Sequence, residues 1–473
     1  MVDTVPAVDT KKIHRLFEAQ RANQYKVAES SAGDRIRKLQ KLGDAVMKYR
    51  PEIREALWQD YRRPAAEADL GEIYPVTSKI KHAKSHLRRW MAPQRVATPL
   101  AFVGSSSWVQ YEPKGVCLVI SPWNYPIQLA LGPLISAVAA GNTVIIKPSE
   151  STPHSAAVLR KIVEEVFDEN EVAVVEGAVD TATALLELPF NHIFFTGAPE
   201  VGKIVMAAAA KNLASVTLEL GGKSPTIVDE TADLGIASSR IAWAKFSNNG
   251  QICIAPDYVL VHESKMEAFI DAVKSRIREF YGEKAAESAS YMRIINARHF
   301  QRVKSYLEDS INAGATVVYG GRSDPGDNFM EPTVVTGMPM DSPLMQQEIF
   351  GPVLPVVPYR DLQEAIDLIR SKEKPLGLYI YSKSTRNIER ILRSTRAGGT
   401  CINHNAVHFF NPNLPFGGSN NSGIGKSHGK FGFVAFSNAR AVYKQILPTA
   451  LDKLTPPYNN LKMKLIDLTI KWF

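Results

Sequence analysis

The 473-residue chain is 45% hydrophobic and 22% charged, the composition of an ordinary globular protein, and single cores stop growing at roughly 250–300 residues, so two or three domains are expected. Three scattered cysteines, an odd number, speak against a disulfide framework and for a reducing compartment, with the cytoplasm as the expected location. The excess of eight basic charges suits an anionic cofactor or an anionic membrane surface; without zinc-knuckle spacing or an RRM-type aromatic motif, nucleic acid is not an expected partner.

Met1 to Lys11 hold neither the apolar core of a secretory signal nor an Arg/Ser-rich transit pattern. From Thr10 to Trp90 the chain reads as helices, with apolar positions at Leu39, Leu42, Val46 and Met47. Between Lys79 and Arg95 there are six Lys or Arg and no acid, spaced as a solvated helix face. Thr98 to Tyr111 belongs to neither neighbouring domain: its alternation describes an arm or a hairpin folded on its own domain.

From Gly115 onward short β-branched runs alternate with helical stretches: Val116 to Ser121, Thr143 to Pro148, Val172 to Gly177, His192 to Gly197 and Ser215 to Leu220. Runs apolar on both faces, separated by helices, predict parallel strands with right-handed crossovers, hence a doubly wound α/β domain. A second series follows Gly221, with strands near Pro225 to Asp229, Tyr258 to His262, Thr316 to Gly320, Leu354 to Tyr359, Leu376 to Tyr381 and Gly399 to Asn403. Helices such as Lys265 to Phe280 and Ala297 to Ala313 fall between them, so this too is an α/β domain.

Two chemical groups stand out on this frame. Cys253 lies in Gly250-Gln251-Ile252-Cys253-Ile254, and Glu219 stands 34 residues upstream in Leu218-Glu219-Leu220-Gly221-Gly222. A thiol nucleophile and a carboxylate base are the parts needed for covalent chemistry at a carbonyl carbon. With Glu219 at the domain junction and Cys253 in the second domain, a cleft between the domains is expected. Ile252 and Ile254 make the thiol's surroundings apolar, and no His or Lys adjoins it. Backbone N–H groups, a helix N-terminus or a bound cofactor must then favour the thiolate. Glu219, between two leucines, is expected to be partly buried with a raised pKa, as a base near neutral pH requires. A lone cysteine in such a segment is more often a buried structural thiol, and Cys117 and Cys401, both in strand-like runs, are read that way.

Asn124, directly after the first strand, is a neutral amide suited to donate to an oxyanion, although an Asn before Tyr125-Pro126 is also a turn former. No G-x-G-x-x-G follows that strand. Instead Gly197 and Gly202 stand five apart at a strand-to-helix turn close to a Walker A loop. Ile204 occupies the position of the Mg²⁺-binding Ser or Thr, so neither a nucleoside triphosphatase nor a metal site is expected. Lys147 and Glu150 end the second strand, where ribose contacts belong in a dinucleotide fold. Acidic Glu150 favours NAD, and Lys147 leaves NADP open.

Four segments in this order, Ser121 to Pro126, Leu218 to Lys223, Ser247 to Pro256 and Gln347 to Pro352, resemble the aldehyde dehydrogenase superfamily, with the likeness running from Glu18 to Tyr443. Phe195-Thr196-Gly197, Ala255 to Leu260, Leu414 to Gly418 and His428 to Lys430 are similar to its class 3, fatty aldehyde dehydrogenase-like branch. Ser419 to Gly423 departs from that branch as a polar variant of a small-residue turn. The resemblance implies an aldehyde dehydrogenase-like α/β fold of two doubly wound Rossmann-type domains plus a small antiparallel arm. Residues 1–97 and 112–218 would form the NAD(P)-binding domain, 219–430 the catalytic domain, 98–111 and 431–447 an arm that pairs subunits of a homodimer, and 448–473 an amphipathic tail.

The activity it implies is NAD(P)-dependent oxidation of a medium- or long-chain aliphatic or aromatic aldehyde to the acid, by way of a thiohemiacetal and a thioester on Cys253. Glu219 would activate water, and Asn124 would act with the nucleophile's backbone N–H. Implied cofactor contacts are Ser121, Trp123, Thr196, Gly197, Val201 and Gly202, with Lys147 and Glu150 at the adenosine ribose and Glu348 and Phe350 at the nicotinamide ribose. Members that pass the acyl group to coenzyme A typically lack this Glu, which favours hydrolysis. Transfer to coenzyme A, and a catalytically silent nucleotide-binding or membrane-peripheral protein, are the alternatives. In the tail, Leu461, Leu465, Leu468 and Trp472 share one helical face beside Lys462, Lys464 and Lys471. Peripheral membrane contact, packing on the protein or a partner, and a lid on a substrate tunnel are the three readings, and the segment is too short and too charged to span a bilayer.

Overall fold

The computed structural model describes residues 8–472. Its N-terminal layer is helical: Thr10–Ala28, Ala32–Lys48, Arg50–Tyr61 and Tyr74–Met91. Leu39, Leu42 and Val46, spaced three and four apart, are fully buried. Met47 is 47% exposed, because one further residue turns the helix by about 100° away from the core, and it does not belong with them. The same periodicity corrects the reading of the basic run. On Tyr74–Met91 the buried face is Val76, Ile80, Ala83, Leu87 and Trp90, and Lys79, four residues before Ala83, is only partly exposed, whereas Lys81, Arg88 and Arg89 are solvated.

A π-helical turn at Asp69–Ile73 brings Glu72 against Arg63, Oε1 to Nη1 2.9 Å, with both side chains almost wholly buried. Glu72 Oε2 accepts the backbone N–H of Gln128 at 2.7 Å, at the start of helix Gln128–Ala140, where a carboxylate is favoured by the helix dipole.

The first sheet has Val116–Ile120 near its centre, with Thr143–Lys147 and Val172–Val174 on one side and His192–Gly197 and Ser215–Leu220 on the other. These five strands are parallel. Chain order reverses at Val116–Ile120, which opens a crevice beyond the carboxyl ends of that strand and His192–Gly197. A short sixth strand, Gly423–Ile424, pairs antiparallel with Glu219 and Leu218. Two residues are too few to show a period, and this strand is not among the predicted ones.

The second sheet runs, in spatial order, Thr316–Tyr319, Thr333–Thr336, Val353–Tyr359, Tyr258–His262, Pro225–Val228, Gly377–Tyr381 and Gly399–Ile402. Only the edge strand Thr316–Tyr319 is antiparallel to its neighbour. Thr333–Thr336, four residues held between Pro332 and Gly337, was not predicted as a strand. Cys117 and Cys401 are buried in strands, as expected.

A third, antiparallel sheet joins Gln94–Val96, Ser105–Pro113 and Ser437–Gln445, the last two in register from Pro113 opposite Ser437 to Ser105 opposite Gln445. Phe431 to Ala435 lies outside it, in helix Gly429–Ala435. The closing helix Asn460–Trp472 leaves Leu461, Leu465 and Leu468 at 67%, 41% and 54% exposure; the side chain of Trp472 lies outside the described residues. Among the described residues no helix is long and apolar enough to cross a membrane.

Candidate active site

Strand Ser215–Leu220 carries Glu219 out of the first sheet, and the chain enters the second sheet at Pro225–Val228. Cys253 follows helix Leu234–Phe246 and the short turn Ser247–Gly250, in which Asn248 and Asn249 adopt left-handed backbone conformations that asparagine tolerates. Glu219 and Cys253 line one cavity of about 160 Å³, along with Ile252, Ile254, Tyr125, Phe409 and Phe416.

The amide of Asn124 donates to the Gln251 carbonyl at 3.0 Å, two residues before the thiol. Asn248 Nδ2 donates to the same carbonyl at 2.9 Å and to the Asn124 carbonyl at 3.1 Å, so the turn after the first strand is tied to the nucleophile loop. This engages one of the two amide hydrogens of Asn124.

Burial pushes the Cys253 thiol pKa up, and the nearby Glu348 and Glu219 carboxylates push it further; the backbone N–H groups of Cys253 and Ile254 pull it down without offsetting them. The expected local bias toward the thiolate is therefore not supplied by the protein's own groups. Glu219 is 6% exposed, and burial raises its pKa to about 8, against the Ser427 hydrogen bond and the charges of Lys426 and Lys79. Ser427 Oγ donates to Glu219 Oε1 at 2.8 Å, and Oε2 is buried without a hydrogen-bond partner.

The other predicted residues fall at strand ends of the first sheet, in the first turn of a helix and in the segment before strand Val353–Tyr359. Ser121 follows Val116–Ile120 and Thr196 is the penultimate residue of its neighbour; both hydroxyls are buried and unpartnered. Gly197 closes the latter strand, and Val201 and Gly202 sit in the first turn of helix Pro199–Lys211, Gly202 buried and Val201 44% exposed. Lys147 Nζ donates to Glu150 Oε2 at 2.9 Å, the lysine buried and the glutamate half exposed. Trp123 stands edge-on to Phe350 with ring centroids 5.4 Å apart, and Glu348 packs under Gly221, where a Cβ would fall 2.1 Å from Oε2. Burial and Asp257 raise the Glu348 pKa to about 8. Orphaned hydroxyls beside a helix start, with a lysine–glutamate pair one strand away, fit a dinucleotide. Of these residues Thr196 also lines the thiol cavity, whereas Lys147, Glu150 and Val201 do not.

Sequence reasoning missed the residue that holds these motifs together. Lys223 Nζ pairs with Asp257 at 2.5 Å and donates to the carbonyls of Leu344 and Gln347 at 2.7 and 2.8 Å, while Asp257 accepts the Ile349 N–H at 3.0 Å. Nothing in the local sequence shows such convergence. Ser427 and Lys79 were missed as well. The helical spacing of Lys79 with Ala83 was the available signal for the lysine.

The profile of the aldehyde dehydrogenase family matches residues 1–442. The chain is 43% identical to the 4,4'-diaponeurosporen-aldehyde dehydrogenase of Staphylococcus aureus over 92% of this chain and 94% of that protein. It is 42% identical to aldehyde dehydrogenase family 3 member H1 of Arabidopsis thaliana over 92% and 90%. The solved substrate-bound state of Staphylococcus aureus AldH superimposes with a TM-score of 0.92 at 41% identity, covering 97% of this chain and 99% of that one. The chain belongs to the aldehyde dehydrogenase family, and it is an enzyme that oxidises aldehydes with NAD or NADP as cofactor.

Proposed function

We propose that the protein oxidises a hydrophobic aldehyde to its carboxylic acid through an acyl thioester on Cys253. Cys253 gives up its thiol proton to solvent water, its sulfur adds to the aldehyde carbon, and Asn124 Nδ2 with the Cys253 backbone N–H holds the oxyanion; one such donor contributes about 2.7–4 kcal/mol. NAD(P), when bound, supplies the hydride acceptor that formation of the thioester requires. Lys147 and Glu150 hold the adenosine ribose, Thr196, Gly197, Val201 and Gly202 the pyrophosphate, and Glu348 and Phe350 the nicotinamide ribose beside Ser121 and Trp123. Glu219 then takes a proton from water, the water oxygen bonds to the acyl carbon, and the C–S bond breaks to release the acid.

The observation that carries this reading is the meeting of Cys253 and Glu219 in one cavity. Cys253→Ala should abolish NADH formation from a medium-chain aldehyde, and turnover that required added coenzyme A would instead favour acyl transfer. Tyr125, Trp243, Phe409, Phe410 and Phe416 give the cavity an aromatic lining suited to aryl or long apolar aldehydes, in keeping with a relative named for diaponeurosporen-aldehyde. The Glu150 carboxylate disfavours a 2′-phosphate, so NAD is the preferred cofactor. The three-stranded arm pairs two copies in a homodimer. The tail helix, with lysines beside exposed leucines, gives a cytoplasmic enzyme peripheral contact with an anionic membrane.

A further inference from the structure

We infer that Lys79 is the positioning residue through which Glu219 passes the proton of the hydrolytic water to solvent. The inference rests on Glu219 acting as the base of thioester hydrolysis.

Helix Tyr74–Met91 delivers Lys79 to the wall of the cavity that Glu219 and Cys253 line. Gly132, on helix Gln128–Ala140, leaves it room: a Cβ there would stand 3.1 Å from Nζ. The ammonium makes no ion pair among the described residues; Nζ lies 3.5 Å from Gln128 Oε1 and 4.7 Å from the centre of the Phe409 ring. Lysine is rarely buried without a paired carboxylate, because a desolvated ammonium is costly. The charged group that Lys79 feels is Glu219, and across the cavity His428, itself held neutral by burial, feels Lys79. Glu219 faces Lys426 in addition, but Lys426 Nζ is engaged by the carbonyls of Gly417 and Gly418.

Burial lowers the Lys79 pKa to about 7 and raises that of Glu219 to about 8, so a proton moves between them at little cost in either direction. The cavity of about 160 Å³ is roomy enough for bridging water, since a single water needs only about 10–15 Å³ on that measure. The step balances without a further reactant. One O–H bond of the attacking water breaks toward Glu219 Oε2 as its oxygen bonds to the acyl carbon. The carboxylic proton then crosses to the neutral Lys79 amine, and the resulting ammonium returns it to bulk water. A cationic Lys79 also favours the carboxylate form of Glu219, which readies the base for the next turnover.

The test compares Lys79→Met and Lys79→Arg with wild type by NADH burst and by the pH dependence of kcat. The Met variant should keep the burst and the aldehyde KM, lose about tenfold in kcat, and move the acidic limb of the kcat profile to higher pH by about one unit, since the carboxylate loses a favourable charge. The Arg variant, which keeps the charge but cannot release a proton, should retain the limb yet remain slow. A Met variant with wild-type kcat and an unmoved limb would overturn the inference, as would an Arg variant with full kcat. Glu219→Gln separates this from the underlying reading. If it halts hydrolysis while Lys79→Met changes nothing, only the Lys79 assignment fails; if it too turns over normally, the role of Glu219 fails.

Discussion

Ser427 donates its hydroxyl hydrogen to Glu219 Oε1 at 2.8 Å and leaves Oε2 buried without a partner. One oxygen is thereby fixed, and the other is the atom able to take a proton. The hydrogen bond favours the carboxylate form, so Ser427→Ala should raise the Glu219 pKa. A bond to a charged group contributes roughly 1.5–3 kcal/mol, and about 1.4 kcal/mol corresponds to one unit. The acidic limb of kcat should therefore move up by a unit or more, and kcat at neutral pH should fall, while the NADH burst is retained. A pH–rate series on the variant checks this.

Gly221 and Glu348 are in contact through the missing side chain: a Cβ at 221 would stand 2.1 Å from Glu348 Oε2. Gly221→Ala should displace Glu348 and weaken NAD binding, and a misplacement of about 1 Å should slow turnover by on the order of a hundredfold. Titration of NAD by fluorescence would show it, and alkylation of Cys253 in the absence of NAD should proceed as in wild type.

Lys223 joins the strand-end glycines, Asp257 and the segment before Glu348. Lys223→Met leaves Asp257 buried and unpaired, which costs about 3–5 kcal/mol. Thermal denaturation should register the loss, and the KM for NAD should rise more than the KM for aldehyde.

The buried Arg63–Glu72 pair fixes the start of helix Gln128–Ala140, which carries the wall facing Lys79. Arg63→Met should destabilise the fold by roughly 3–5 kcal/mol because Glu72 is left uncompensated, and adding Glu72→Leu should recover most of it. Urea denaturation of the single and double variants measures the difference.

None of the described side chains of the terminal helix lines the cavity. Truncation after Thr455 should leave kcat and KM for a water-soluble aldehyde unchanged and abolish co-sedimentation with phosphatidylserine vesicles. Altered kinetics would point to a lid instead.

Much of the architecture was legible because parallel strands buried on both faces leave continuous apolar runs, and the first sheet has strands at all five such positions. Gly423–Ile424 and Thr333–Thr336 were not, since short strands defined by their partners carry no period of their own. The motifs around Cys253, Glu219 and Asn124 suggested the roles proposed for them. The electrostatics around them were not legible. The raised thiol pKa comes first from burial and then from Glu348, 95 residues away, and the environment of Glu219 depends on Ser427 and Lys79, from a distant loop and a distant helix. Lys79 was hidden by composition: it opens a basic run whose other members are mostly solvated, and only its place on the helical face distinguishes it.

The most direct test of the shared role of Cys253 and Glu219 is the intact mass of Glu219→Gln after reaction with aldehyde and NAD. The account predicts one equivalent of NADH in a burst and an acyl group retained on Cys253. Continued turnover at the wild-type rate, with Cys253 unmodified, would contradict it.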